Sequence, residues 1–247
     1  MLRRDFVPAR TAAVFDALSK EPLMSGFILI GGTALSLQIG HRLSEDLDFW
    51  LPSSQMPGGR VDGILEGLRM AGLSVQLVTP AWQITQARIN GQDLLSISRD
   101  YAVDGVKVTF FARNDAPYMH FAELHRIQEP GIPFEMMGSD ALFEMKSWLI
   151  SKRVRSRDLF DLMAMLRDHG KTMRDILDAG RMADTAYSAE YAKEVLVGNV
   201  PLDPEDEGFE SINLNVELQG IYDFMTERVT EYEVAVAREI LRATPPV

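Results

Sequence analysis

Residues 27–51 limit the fold more than any other part of this 247-residue chain. Phe27-Ile28-Leu29-Ile30 reads as a short apolar strand that runs into Gly31-Gly32, and residues 33–39 continue as a helix carrying Leu35, Leu37 and Ile39. Gly40 stops that helix, and Leu47–Leu51 is the next strand, closed by Pro52-Ser53-Ser54. Side chains alternate along a strand, so Leu47, Phe49 and Leu51 turn to a core while Asp46 and Asp48 share the opposite face.

The rest of the chain changes character halfway. A first helix is expected over 11–20, with Val14, Phe15 and Leu18 on one face, and an amphipathic helix over Arg60–Met70, ending near Gly72. Strands are expected at 74–78, 82–89, 94–98 and 106–111. After Pro133 the pattern is helical: 139–152, 157–168, shorter segments near 173–179 and 189–197, an acidic loop at 201–208, and a long helix over 216–242. This order predicts an α+β chain: a mixed-sheet domain over 1–130, then a helical domain over 131–247 with an acidic C-terminal helix. In that last helix Leu218, Tyr222, Met225, Val229, Tyr232 and Val236 recur at spacings of four and three. The stripe packs on the chain's own helices or faces a partner.

Composition excludes several classes. Hydrophobic residues make 46% and charged residues 25%, which is globular rather than disordered. No apolar run approaches the ~20 residues that cross a bilayer. Arg3 and Arg4 lead into Asp5-Phe6-Val7-Pro8, with no apolar core of a signal peptide. The absence of cysteine removes disulfides, thiol catalysis and cysteine-bound zinc. The four histidines, His41, His120, His125 and His169, have no metal-ligand spacing. A soluble cytoplasmic protein with no membrane partner is expected. The net charge is −11, but residues 201–247 hold eleven acids and three arginines, so −8 of it lies there and only −3 in the first 200 residues. Acidity that is confined in this way argues only weakly against nucleic acid as a partner.

Two segments carry possible chemistry. Helix N-terminal amides bind phosphate and glycines allow it close, so Gly31-Gly32 is either such a cradle or a tight connection. Side chains two residues apart on a strand stand ~7 Å apart, which lets Asp46 and Asp48 grip hard cations. Magnesium takes such oxygens and keeps water and substrate phosphate for the rest. The alternative is a solvated outer face. Farther on, Lys146 has Leu142, Phe143, Leu149 and Ile150 as its helical neighbours. Such an ammonium either snorkels to water or holds a charge for a reason; the expectation is that Lys146 reaches a cleft, so that Lys146→Met weakens binding of a triphosphate and leaves stability near wild type. Asp158 and Asp161 lie three apart, as a surface ion-pair cluster or as working groups. From Lys146 to Arg157 there are five bases and no acid, a face for phosphates or for water alone.

Gly31-Gly32-Thr33-Ala34-Leu35 followed by His41-Arg42-Leu43-Ser44-Glu45-Asp46-Leu47-Asp48-Phe49 resembles the signature of the AbiEii/AbiGii toxin nucleotidyltransferase family, within the polymerase-β-type superfamily. Lys146-Ser147-Trp148-Leu149, Lys152-Arg153 and Arg157-Asp158-Leu159-Phe160-Asp161-Leu162 are similar to that family's helical lysine and Arg-Asp-x-x-Asp-Leu block. The resemblance implies a polymerase-β-like nucleotidyltransferase domain, with the helical domain completing the nucleotide cleft. It implies a toxin of a toxin–antitoxin or phage-defence system that moves a nucleoside monophosphate from an NTP to an RNA, tRNA-like or protein hydroxyl. Mg2+ or Mn2+ would lie on Asp46 and Asp48. Gly31, Gly32, Thr33, Arg42, Ser44 and Lys146 would hold the nucleotide, and Asp161 would be a further catalytic group. A cognate antitoxin is the implied partner.

One departure stands out. The superfamily usually draws a third carboxylate from a neighbouring strand, yet the strand over 106–111 offers Thr109 on that face, and a threonine does not deprotonate a hydroxyl at neutral pH. Asp161 or Asp104 supplies the group, or the chain is a catalytically degenerate relative that binds an NTP or a protein. Aspartate phosphatases of the haloacid dehalogenase type also begin with Asp-x-Asp, but there an apolar strand leads into the first aspartate, and residues 41–45 here are too polar.

Overall fold

The computed structural model describes residues 2–57, 59–212 and 214–243. They form two compact units, Met1–Leu142 and Phe143–Val247.

The first unit is built on a mixed sheet whose described strands are β1 (Ile28–Ile30), β2 (Leu47–Leu51), β3 (Val75–Leu77), β4 (Ser98–Val103), β5 (Val106–Ala112), β6 (Arg126–Ile127) and β7 (Glu135–Met137). Their order is β3-β4-β5-β2-β1-β7-β6. β2 runs parallel to β5, β1 parallel to β7, and the remaining pairs are antiparallel. The helices are α1 (Ala9–Leu18), α2 (Gly31–Ile39), α3 (Arg60–Met70), α4 (Ala81–Ile89) and α5 (Ala116–Ala122), and α6 (Ser139–Leu149) straddles the division.

The alternation expected for β2 holds. Phe49 is fully buried, stacked on Phe110 at 5.6 Å and edge-on to Phe134 at 5.0 Å, and Phe27 meets Phe110 at 5.4 Å. Phe15 of α1 closes the cluster against Phe134 at 5.4 Å. Aromatic pairs at these separations add to area burial and pin the register of the central strands. The other face of β2 carries Asp48, half-buried, and Trp50, which is fully buried edge-on to Tyr118 at 5.3 Å.

Two expectations need correction. Residues 82–89 are helix α4, not a strand: Pro80 starts the helix, and Trp82 and Ile89 are 69% and 73% exposed, so their spacing reflects no core face. Residues 94–96 make a 3-10 turn, and the strand lies at Ser98–Val103. β4 pairs with β5 through Asp104-Gly105, both at positive φ (47° and 79°), with Val103 opposite Val106. That is a two-residue hairpin turn, which favours an Asp-Gly pair. β7 adds to β1 within the first unit, Met1–Leu142.

The second unit is helical: the end of α6, α7 (Ser156–Asp168), α8 (Met173–Ala183), α9 (Ala189–Leu196) and α10 (Leu218–Ala243). Met225 and Val229 of the α10 stripe are buried with Ile221, so the stripe packs on its own unit. Lys193–Glu233 (2.7 Å) and Arg174–Glu239 (2.9 Å) tie α10 to α9 and α8.

The basic run is neutralised internally. Lys152 pairs with Asp184 at 2.9 Å, Arg153 with Asp158 at 2.9 Å, Arg155 with Asp203 at 3.4 Å and Arg157 with Glu207 at 2.7 Å. The acidic loop therefore serves as counter-charge to the start of α7. It also caps that helix. Arg155 at the N-cap position makes no side-chain cap, and Asp206 instead accepts the Ser156 amide at 2.9 Å and the Ser156 hydroxyl at 2.8 Å. Ser156 is buried, so Asp206→Ala leaves an orphaned donor. Urea unfolding should show a loss of about 1–2 kcal/mol.

Candidate functional site

β1 ends where α2 begins, and antiparallel pairing sets Ile30 opposite Asp48. Gly31 follows at φ 78°, a conformation L side chains rarely adopt. A Cβ there would stand 2.7 Å from Asp48 Oδ2, and a Cβ on Gly32 would stand 2.5 Å from Arg42 Nη2 and 2.9 Å from Ser44 Oγ. The glycine pair is thus more than a tight turn, because polar side chains press directly on its backbone. Asp48 lies against the first turn of α2, whose leading amides have no intrahelical acceptor and carry the positive end of the helix dipole.

The loop before β2 is fastened to the same point. Thr33 and Ser44 are buried with their hydroxyls 2.9 Å apart, and Thr33 also hydrogen-bonds the Asp46 carbonyl. A hydroxyl has one proton, so with Thr33 donating to that carbonyl, Ser44 donates to Thr33. Thr11 donates to the Glu45 carbonyl at 2.8 Å, and the Ser44 amide donates to Phe6 at 3.1 Å. Arg42, 5% exposed, donates to the Leu43 carbonyl at 3.0 Å. Of the residues expected here, Thr33, Arg42 and Ser44 lie buried beneath the helix start. Gly31, Gly32, Asp46 and Asp48 are half-buried at its edge.

Asp48 lies on β2 and Asp46 one residue before its start, and both are half-buried. Among the described residues, no group of three acids or histidines is placed to hold a metal ion. Thr109 stands beside Asp48, as expected, and Asp100 of β4 stands beside Thr109. Asp104 is turned to other work: its carboxylate accepts the Ser74 amide at 2.7 Å and the Ser74 hydroxyl at 2.9 Å, bonds that lower its pKa. Asp100 was missed because its strand was missed, although Asp104-Gly105 signals the hairpin.

In the second unit Lys146 is 5% exposed, and its Nζ lies 2.5 Å from Asp158 Oδ1 and 2.8 Å from Asp161 Oδ2. It does not snorkel, and the two aspartates are not a surface cluster. Burial raises the pKa of Asp158, but the charges of Lys146 and Arg153 outweigh it and hold the group at about 2. The triad ties α6 to α7.

The fold of this chain is shared with solved proteins. A candidate nucleotidyltransferase from H. pylori aligns with a TM-score of 0.50 at 16% identity, over 93% of this chain and 96% of that one. JHP933 from Helicobacter pylori gives the same score and identity over 95% and 96%. In sequence, the uncharacterized protein aq_aa25 of Aquifex aeolicus (strain VF5) is 24% identical over 155 residues. That match takes in 62% of this chain and 64% of the relative, less than two thirds of its length. The model of the nucleotidyl transferase AbiEii toxin family, of type IV toxin–antitoxin systems, matches residues 12–235, and the chain belongs to that family.

The triad yields two expectations. Lys146→Met strands two buried carboxylates, so it should cost about 3–5 kcal/mol in chemical denaturation, which corrects the near-wild-type stability expected from the sequence. Asp158 has its folded pKa below the ordinary 3.8, so its stabilisation is present above that pH and is lost as pH falls toward 2. Urea midpoints across that window should fall for the wild type and fall less steeply for Asp158→Asn.

Proposed function

We propose that this chain is a metal-dependent nucleotidyltransferase that moves a nucleoside monophosphate from an NTP to the hydroxyl of an RNA, with tRNA-like ends and protein hydroxyls as further acceptor classes. In this reading it acts in the cytoplasm as the toxin of a pair, restrained by a cognate antitoxin. The observation that carries the reading is the Asp48 carboxylate lying against Gly31 at the start of α2. Cation-holding and phosphate-holding groups thereby share one place.

The residues fit a divalent cation, Mg2+ or Mn2+. Asp48 on β2 and Asp46 one residue before it would offer acidic oxygens, and the remaining ligands would come from phosphate and water. When bound, the cation supplies neutralisation of phosphate charge. The first-turn amides of α2 at Gly31 and Gly32 bind phosphate oxygen. Thr33, Ser44 and Arg42 hold the loop that aims Asp46 and Asp48. Lys146 and Asp161 are assigned to the nucleotide on the family resemblance alone. The acceptor oxygen attacks the α-phosphorus, and pyrophosphate leaves with the electrons of the broken P–O bond. Rate comes from positioning and electrostatics rather than a covalent enzyme intermediate. Thr109 beside Asp48 supports a second reading, a degenerate transferase that binds an NTP without turning it over.

Asp48→Asn keeps the shape and removes one negative charge from the cation site. Labelled NMP transfer from each of four NTPs to total RNA should fall about 100- to 1000-fold, with melting temperature unchanged or raised. Titration calorimetry should show wild-type NTP affinity that depends on divalent cation. A folded Asp48→Asn protein that transfers at the wild-type rate rules out the site. A wild type inert with every NTP favours the binding-only reading.

A further inference from the structure

We propose that Asp100 is the proton acceptor for the attacking hydroxyl, a role that rests on the nucleotidyltransferase reading above. Transfer to a hydroxyl requires a base: the O–H proton must leave as the oxygen lone pair forms its bond to the α-phosphorus. Nothing next to Asp48 on its own sheet row can do this, since the neighbour is Thr109. The row continues one strand farther. Asp48 pairs with Thr109, and Thr109 pairs with Asp100. Cross-strand partners share a face, so Asp100 is on the face of Asp48, opposite the phenylalanine cluster.

Strands lie ~4.8 Å apart, so the Asp48 and Asp100 backbones are separated by roughly 10 Å. That span is too wide for Asp100 to join Asp48 on one cation, in keeping with the lack of any three-acid metal group among the described residues. It leaves room above the small Thr109 side chain for an acceptor hydroxyl, hydrogen-bonded to Asp100 at ~2.7 Å. Asp100 is also held for such a role. Its amide donates to Thr79 Oγ1 at 2.8 Å and its carbonyl accepts the Val78 amide at 2.8 Å, which fixes the backbone from the β3 side. Its carboxylate, half-buried, makes no hydrogen bond or ion pair among the described residues. Asp104, the acid of the adjoining turn, is committed to Ser74. In the step itself the hydroxyl proton passes to an Asp100 oxygen, the new O–P bond forms, and the bond to the leaving pyrophosphate breaks with its electron pair. Solvent then takes the proton from Asp100.

The test compares wild type, Asp48→Asn, Asp100→Asn and Asp100→Glu, each with α-labelled NTP, MgCl2 and total cellular RNA, and with nucleotide affinity and melting temperature measured in parallel. Asp100→Asn should melt as wild type and bind NTP with unchanged, cation-dependent affinity, yet transfer about 100- to 10,000-fold more slowly. Asp100→Glu, which keeps an acid, should retain more transfer than the amide. Asp100→Ser, which also lacks an acid, carries the same test if the amide variant fails to fold: transfer within about threefold of wild type then counts against the role. If wild type transfers and Asp48→Asn does not, but Asp100→Asn stays within about threefold of wild type, Asp100 is not the base and the site reading stands. If wild type labels neither RNA nor protein, the site reading fails and the role of Asp100 fails with it.

Discussion

Everything at the candidate site depends on one strand holding two incompatible faces. Phe49 is locked between Phe110 and Phe134, and because strand side chains alternate, that contact forces Asp48 to the other side of the sheet. There it meets the start of α2, where only glycine leaves room: Gly31 for the carboxylate, Gly32 for Arg42 and Ser44. A register slip of one residue would turn Asp48 into the phenylalanine cluster and Phe49 out of it, so the same packing that stabilises the sheet also aims Asp48. Stability and chemistry share a single constraint.

Charge is organised just as locally in the second unit. A chain with a net charge of −11 would repel itself and any polyanion if its acids were spread evenly. Instead the acidic loop is spent on the arginines at the start of α7, and Asp206 supplies the cap that α7 lacks in its own sequence. Deeper in, Lys146 is matched by Asp158 and Asp161, which makes a buried ammonium tolerable because its hydrogen-bonding capacity is met. Surface pairs of this kind add little each, whereas the buried triad is costly to break.

Legibility in the sequence followed the strength of local signals. β2, α3 and the long helices were readable because a core face repeats at a fixed period, and the Gly-Gly start of α2 because glycine at positive φ has few substitutes. The region from 78 to 105 was misread. In α4 the apolar residues face solvent, so their spacing carries no information about burial, and helix and strand cannot be told apart by period alone. The Asp-Gly turn at 104–105 was the better signal for β4, since both its residues need positive φ.

What the sequence determined by itself is a set of residues and their order: Gly-Gly before a helix, an aspartate on the strand that follows, and a lysine among apolar neighbours. Those follow from backbone geometry within a few residues. Tertiary structure decided which distant residues complete them. Thr109 and Asp100 share the Asp48 row only because β5 and β4 pair in that order and register, and Lys146 is buried rather than solvated only because α7 brings two carboxylates to it. Pairing across a sheet and between helices depends on long-range packing, and no spacing along the chain encodes it.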